Sequence, residues 1–350
     1  MSTDVQDVIV IGGGQAGLAM AWYLKRQGRR FLVLDAGPQI GHTWRSRWDS
    51  LVLFTPAQYD ALPGTAFPAP AGTYPTKEQI ADYLQAYTEK YHLPVRLNSR
   101  VTALGRTGEL FEVGTATETF HARQVVIATG PFAVPFVPPL AGGLDDALVA
   151  LHSAQYRNPG DLPEDRILVV GAGNSGIQIA AELARTRPVD LAVGTRFPTL
   201  PQRVLGRDLF WWLTKTRLLN LSTNSRPGRR LASKDTIIGT RRRQLRRAGV
   251  TFRPRLLDAH GKTVRFADGS TEDVSGVVWA TGFRPDYSWL HIPDVVDNGR
   301  VIHWRGITTV AGLYFLGLAW QHTRGSALLG FVKDDAAYLA DQAAAAAPGT

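Results

Sequence analysis

The chain has 350 residues, 44% hydrophobic and 20% charged, an ordinary globular composition with enough length for two domains that each hold a core. It has no cysteine, which excludes disulfides, thiolate nucleophiles and iron–sulfur clusters together, so any redox chemistry needs a bound cofactor. The net charge of +9 is local: residues 226–255 hold eleven Lys and Arg against one Asp, and the rest of the chain is nearly neutral.

The first apolar run, residues 8–11, is preceded by Asp4 and Asp7 where a secretory signal would be basic. No stretch approaches the roughly 18 apolar residues of a membrane span, so the sequence reads as cytoplasmic with no membrane partner. That run leads into Gly12-Gly13-Gly14-Gln15-Ala16-Gly17, then a helical pattern to about residue 27 and a second apolar run, 31–34, closing at Asp35. Strand, glycine turn, helix and strand make a βαβ unit, and its unbroken Val/Ile/Leu strands predict a parallel sheet buried on both faces.

A Pro- and aromatic-rich segment follows, residues 41–74, in which Trp44, Trp48, Phe54 and Tyr59 fit a ligand wall or plain core. Thr76 and Gln79 have the spacing of a capping box for a helix running to about residue 91. Pro131, Pro135, Pro138 and Pro139 predict an extended linker. A second βαβ unit follows: residues 167–170, then Gly171-Ala172-Gly173-Asn174-Ser175-Gly176, a helix through 183 and a strand over 189–193.

A further echo brackets this unit. Residues 125–127 run into Ala128-Thr129-Gly130, and residues 277–279 run into Ala280-Thr281-Gly282. The pattern predicts an α/β protein of two Rossmann-like dinucleotide-binding domains, one inserted into the other: residues 1–155, then 156–280 as the insert, then 281–350. Within the basic segment, Ser233 and Gly249 resemble the start and stop of a helix carrying Arg241, Arg242, Arg243, Arg246 and Arg247. No helix-turn-helix, zinc-finger or RNP signature accompanies it, so a solvated face is expected and a nucleic-acid partner is not.

Each G-x-G-x-x-G follows a buried strand and opens a helix, the context in which glycine lets a pyrophosphate approach helix N-terminal N–H groups. Asp35 lies 23 residues after Gly12, close to the offset at which a carboxylate accepts from ribose hydroxyls. The first unit is therefore assigned FAD, through Gly12, Gly14, Gln15, Gly17 and Asp35. The same offset in the second unit falls on Val193-Gly194-Thr195-Arg196, with an arginine and no acid. A guanidinium there would bind a 2′-phosphate, so NADPH is expected over NADH, with NADH acceptable in its place. Its residues are Gly171, Gly173, Asn174, Ser175, Gly176, Thr195 and Arg196; Arg203 and Arg207 are the substitutes should Arg196 be an ordinary surface arginine. Two nucleotide sites imply hydride transfer between two rings. The eight histidines form no His-x-His or H-E-x-x-H, and no metal is expected.

With both fingerprints placed, the chain resembles the class B flavin-dependent monooxygenases, most closely the short bacterial flavin-containing monooxygenases related to the plant YUCCA enzymes. Gly41-His42-Thr43-Trp44-Arg45 is similar to the family's G-G-x-W segment along the flavin, and Leu151-His152-Ser153-Ala154-Gln155-Tyr156 to part of its fingerprint. Trp48-Asp49-Ser50-Leu51, Tyr74-Pro75-Thr76-Lys77 and residues 280–286 match further landmarks. The resemblance implies that NADPH reduces FAD, that O₂ adds at the flavin C4a carbon, and that the hydroperoxide gives one oxygen atom to a small organic substrate. It adds Trp44, Arg45, Thr129, Gly130, Gly282 and Gln321 as flavin contacts, and Trp320 with Gln321 as flavin-proximal candidates for catalysis. A homodimer is compatible with it.

Three departures stand out. Thr55 is followed by Pro56 where many members carry Asn, Phe136 by Val137 and Pro138 where the fingerprint has F-x-G, and Tyr156 stands where Baeyer–Villiger enzymes carry Trp. The resemblance then favours N- or S-oxygenation or YUCCA-like oxidative decarboxylation. The alternative is an NAD(P)H-dependent flavin reductase or oxidase with no stable oxygenating intermediate.

Overall fold

The computed structural model describes residues 5–194, 199–232, 237–239 and 242–346. The first βαβ unit consists of β1 (Gln6–Ile11), α1 (Gln15–Arg26) and β2 (Phe31–Leu34). Helix α2 (Lys77–Lys90) then crosses to β3 (Val95–Arg96), β4 (Val101–Thr107), β5 (Leu110–Thr115) and β6 (Thr119–Ile127). The α2 cap has both expected reciprocal bonds, Gln79 N to Thr76 Oγ1 at 3.3 Å and Thr76 N to Gln79 Oε1 at 3.0 Å.

The second unit contains β7 (Val149–His152), β8 (Ile167–Val170), α3 (Asn174–Leu183), β9 (Val189–Ala192), β10 (Val250–Arg253) and β11 (Gly276–Trp279). The chain ends with β12 (Leu313–Phe315) and α4 (Val332–Ala345).

Two sheets result. The first has the order β3-β2-β1-β6-β5-β4, with β12 joining β6 in parallel. The second has the order β10-β9-β8-β11-β7, all parallel. Val8, Ile9, Val10 on β1 and Ile167, Leu168, Val169 on β8 are fully buried, as a strand covered on both faces requires. The two-domain α/β architecture is therefore as the sequence predicts. The expected division at residue 155 falls just after edge strand β7, and that at 280 just after β11.

The two segments that pass between the sheets are paired: Val134–Pro135 lies antiparallel to Phe283–Arg284. Phe136 N donates to Gly282 O at 2.9 Å, and the Arg284 guanidinium lies 4.0 Å from the centre of the Phe136 ring. The basic segment departs from expectation. Ser233 and Arg241 lie outside the described residues, and Ile237–Gly239 form a short strand beside Thr199–Pro201 instead of helix. Gly239 has φ 114°, a backbone form no α-helix contains, so the helix is reduced to Arg242–Arg247. Gly249, at φ 96°, follows it as expected of a helix stop. Among the described residues no helix is long and apolar enough to cross a membrane.

Candidate functional site

The two glycine turns are built alike. Gly12 has φ 110°, and a Cβ there would lie 2.5 Å from Ala128 O; a Cβ at Gly17 would lie 1.8 Å from Gly12 O. Side chains at either position would push α1 off the sheet. Gly171 and Gly176 repeat this, with φ 102°, 2.4 Å to Ala280 O and 1.9 Å to Gly171 O. The alanines of the two Ala-Thr-Gly echoes are therefore the carbonyls against which each turn closes.

The middle glycines have a different reason to be small. Gly14 and Gly173 have ordinary φ values, −78° and −71°, and nothing within 4 Å of a Cβ position. Each is the N-cap of its helix, and no side chain caps either one. Open space beside uncapped helix N–H groups fits a pyrophosphate. Gln15, Asn174 and Ser175 are the first residues of these helices.

Asp35 closes the first cradle. Its Oδ2 accepts from Gly13 N at 2.6 Å and its Oδ1 from Gly37 N at 2.8 Å, so the carboxylate is fixed with lone pairs still free for hydroxyls. It lines a cleft of about 530 Å³, together with Gly12, Gly14, Gln15, Trp44, Thr129, Gly130, Phe132 and Trp320. Trp44 Nε1 reaches Gln15 Oε1 at 3.4 Å. Trp320 has φ 58°, a strained backbone for a large side chain, held where it turns onto this wall.

Three other expected flavin contacts, Arg45, Gly282 and Gln321, are not on the wall of this cleft. The Arg45 guanidinium bonds Glu78 and Asp82 on α2, both at 2.7 Å, and straps the one-turn helix His42–Arg45 to that neighbour. Gly282 sits in the paired crossing segments, where its carbonyl faces His152 Nε2 at 3.0 Å. Burial lowers the His152 pKa and favours the neutral ring. Gln321 is buried next to the wall; its Oε1 accepts from Leu318 N at 3.2 Å and its Nε2 has no partner.

Sequence reasoning missed Arg47, which is on the cleft wall. Its guanidinium stacks 4.7 Å from the Phe132 ring centre and 5.3 Å from Phe283. Burial, with Arg157 nearby, lowers its pKa, and among the described residues it has no ion pair. It also missed Asp60, fully buried, whose Oδ1 accepts from Thr55 Oγ1 at 2.6 Å while Oδ2 has no partner among the described residues. Burial pushes this carboxyl up to about 7.

In the second cradle Thr195 and Arg196 lie outside the described residues. The sheet register supplies another cation. Val189 pairs with Val250 and Ala192 with Arg253, which carries Gly194 alongside Arg255. Arg255 Nε lies 3.7 Å from the Cβ position of Gly194. A guanidinium thus stands beside Gly194, one residue past Val193, which by strand register is the counterpart of Asp35. Arg207 is exposed and packs over Trp211 at 5.2 Å, and Arg203 lines a separate cleft.

Two dinucleotide cradles on one chain, one acidic and one basic at the ribose end, define a flavin- and pyridine-nucleotide-dependent oxidoreductase. The profile of the pyridine nucleotide-disulphide oxidoreductases matches residues 9–198. A CzcO-like oxidoreductase of Geobacillus kaustophilus is 47% identical over 338 residues, 96% of this chain and 97% of its own. A flavin-containing monooxygenase from Stenotrophomonas maltophilia superposes with a TM-score of 0.83 at 31% identity, covering 98% of this chain and 99% of its own. A probable indole-3-pyruvate monooxygenase of Arabidopsis thaliana, YUCCA8, is 27% identical over 376 residues, 93% of this chain and 87% of its own. The chain belongs to the pyridine nucleotide-disulphide oxidoreductase family and, within it, to the class B flavin-dependent monooxygenases. With no cysteine, it has none of the redox disulfide in the family's name.

Proposed function

We propose that the chain binds FAD in the first cradle and NADPH in the second, and uses O₂ to oxygenate a small organic substrate at a soft nitrogen or sulfur centre. The observation that carries this reading is the difference between the two ribose ends, Asp35 in one and Gly194 with Arg255 in the other. A carboxylate accepts from a free 2′-hydroxyl and repels a phosphate; a guanidinium does the reverse. Bound in the first cradle, the flavin supplies hydride acceptance and activation of O₂. The protein's share is positional. The N-terminus of α1 would hold the pyrophosphate and Asp35 the ribose, and Trp44, Phe132 and Trp320 would line the ring's side of the cleft.

Arg47 favours a second reading of the substrate. A half-buried guanidinium without an acid partner on the cleft wall suits a carboxylate, so oxidative decarboxylation of a 2-oxo acid is the alternative chemistry. The name of the Arabidopsis relative points the same way. Parallel assays of NADPH and NADH oxidation with a thioether, a tertiary amine and an aryl 2-oxo acid test the proposal. NADPH is expected to be favoured at least tenfold in kcat/KM, with an oxygenated product from one of the three. Equal use of NADH, or peroxide as the only product, would contradict it.

A further inference from the structure

A second cleft, of about 560 Å³, shares no lining residue with the flavin cleft. Tyr74 comes from the loop before α2, Gln202 and Arg203 follow the strand Thr199–Pro201, and Arg243 and Arg247 come from the helix Arg242–Arg247. That helix divides its arginines between two faces. Arg242 and Arg246 lie over the Phe252 ring of β10, at 4.4 and 5.7 Å, and pack against the edge of the sheet. Arg243 and Arg247, also four residues apart, share the face that lines the cleft.

Among the described residues no carboxylate lines this cleft. Asp208, bonded to two of the lining residues, is engaged inside the protein: it accepts from Tyr74 OH at 2.7 Å, from Gln202 Nε2 at 2.8 Å and from Phe210 N at 2.7 Å. Among the described residues, the guanidinium groups of Arg203, Arg243 and Arg247 have neither an ion pair nor a hydrogen bond, although the backbone of Arg203 pairs with that of Asp208. Like charges at helical i, i+4 spacing repel, and a third cation on the opposite wall adds to that. A concavity holding three guanidinium forks unpaired among the described residues matches an anion with several oxygens, and its volume is in the range of small-molecule sites.

We propose that this cleft is a phosphate-binding site, in which Arg203, Arg243 and Arg247 grip a phosphate dianion and Tyr74 and Gln202 border it. Two sources supply that chemistry. One is the 2′-phosphate of NADPH, since Pro201 of the cleft lies seven residues after Gly194; this source rests on NADPH being the coenzyme and would place its phosphate here and not on Arg255. The other is a separate phosphorylated small molecule, which does not rest on it.

The test is calorimetric titration of the flavin-loaded enzyme with inorganic pyrophosphate at low ionic strength. Saturable binding is expected, weakened at least tenfold in the double variant Arg243→Gln/Arg247→Gln. Arg226→Gln, an exposed arginine outside the cleft, removes a charge without touching the site and should change the affinity less than twofold. If pyrophosphate raises KM for NADPH and leaves KM for NADH unchanged, the source is the 2′-phosphate. If it binds and alters neither, the site serves another ligand. The proposal is overturned if no saturable binding occurs, if the double variant binds as the wild type does, or if both KM values rise together, which would place pyrophosphate on the Gly171 turn.

Discussion

Asp35→Asn exchanges a single group at the ribose end of the first cradle. In the wild type both carboxylate oxygens are engaged, Oδ2 by Gly13 N at 2.6 Å and Oδ1 by Gly37 N at 2.8 Å. An amide has one oxygen, so one of these backbone donors must face an NH₂ group. Losing that charge-assisted bond costs about 1.5–3 kcal/mol. The cost falls on the protein with or without flavin, so it is read as lower stability of the apoprotein. The acceptor offered to the ribose is lost only in the complex. A second bond of the same size there weakens FAD affinity by about tenfold to hundredfold. Fluorescence titration of apoprotein with FAD, paired with its thermal unfolding, separates the two effects. An apoprotein that is destabilised yet binds FAD within twofold of wild type would refute the reasoning: Asp35 would then hold the turn and nothing more.

Gly173→Val is expected to fold, because its φ is −71° and a Cβ there meets nothing within 4 Å. The side chain would fill the space assigned to pyrophosphate, so flavin content stays normal while KM for NADPH rises at least tenfold; an unchanged KM would contradict the second cradle. Asp60 makes stability depend on pH. Its carboxyl moves from 3.8 to about 7 on folding, so between those values the folded state keeps a proton that the unfolded state releases, and stability falls as pH rises. The change amounts to about 4 kcal/mol. Asp60→Asn should remove this slope in urea unfolding between pH 4 and 8 and leave the variant the more stable above pH 7; parallel profiles would contradict it. Arg47→Met keeps the stacking length and deletes the charge. It should raise KM about tenfold for a carboxylate-bearing substrate and less than twofold for a neutral thioether, and equal effects would assign Arg47 to the fold alone. Arg196→Ala should weaken NADPH with little effect on NADH, and equal loss for both would remove it from the 2′-phosphate site.

The glycine cradles were legible because their constraint is local. Gly12 and Gly171 have φ above 100°, and glycine is the residue that accepts this cheaply, so the spacing in the sequence records the turn. The repeated Ala-Thr-Gly was visible as a pattern, but its use was not: the Ala128 and Ala280 carbonyls back onto glycines more than 100 residues away. Two arginines in Trp44-Arg45-Ser46-Arg47 could not be told apart by spacing. A single helical turn sends Arg45 to the acids of α2 and leaves Arg47 between Phe132 and Phe283. Arg255 was hidden because it reaches Gly194 through the parallel register of β9 and β10, a tertiary relation with no sequence period. The helix expected from Ser233 failed at Gly239, whose φ of 114° and pairing beside Pro201 outweigh the surrounding arginines' helix propensity.

The central claim is that oxidation of NADPH is coupled to transfer of one oxygen atom of O₂ to a substrate, the other atom leaving as water. Turnover of the flavin-loaded enzyme under ¹⁸O₂ with NADPH and a thioether, an amine or an aryl 2-oxo acid tests it directly, with mass spectrometry of the product and an assay for peroxide. The account predicts one ¹⁸O atom in the product for each NADPH consumed with the preferred substrate. Unlabelled substrate recovered intact, with one peroxide formed for each NADPH, would contradict it and make the protein a flavin oxidase.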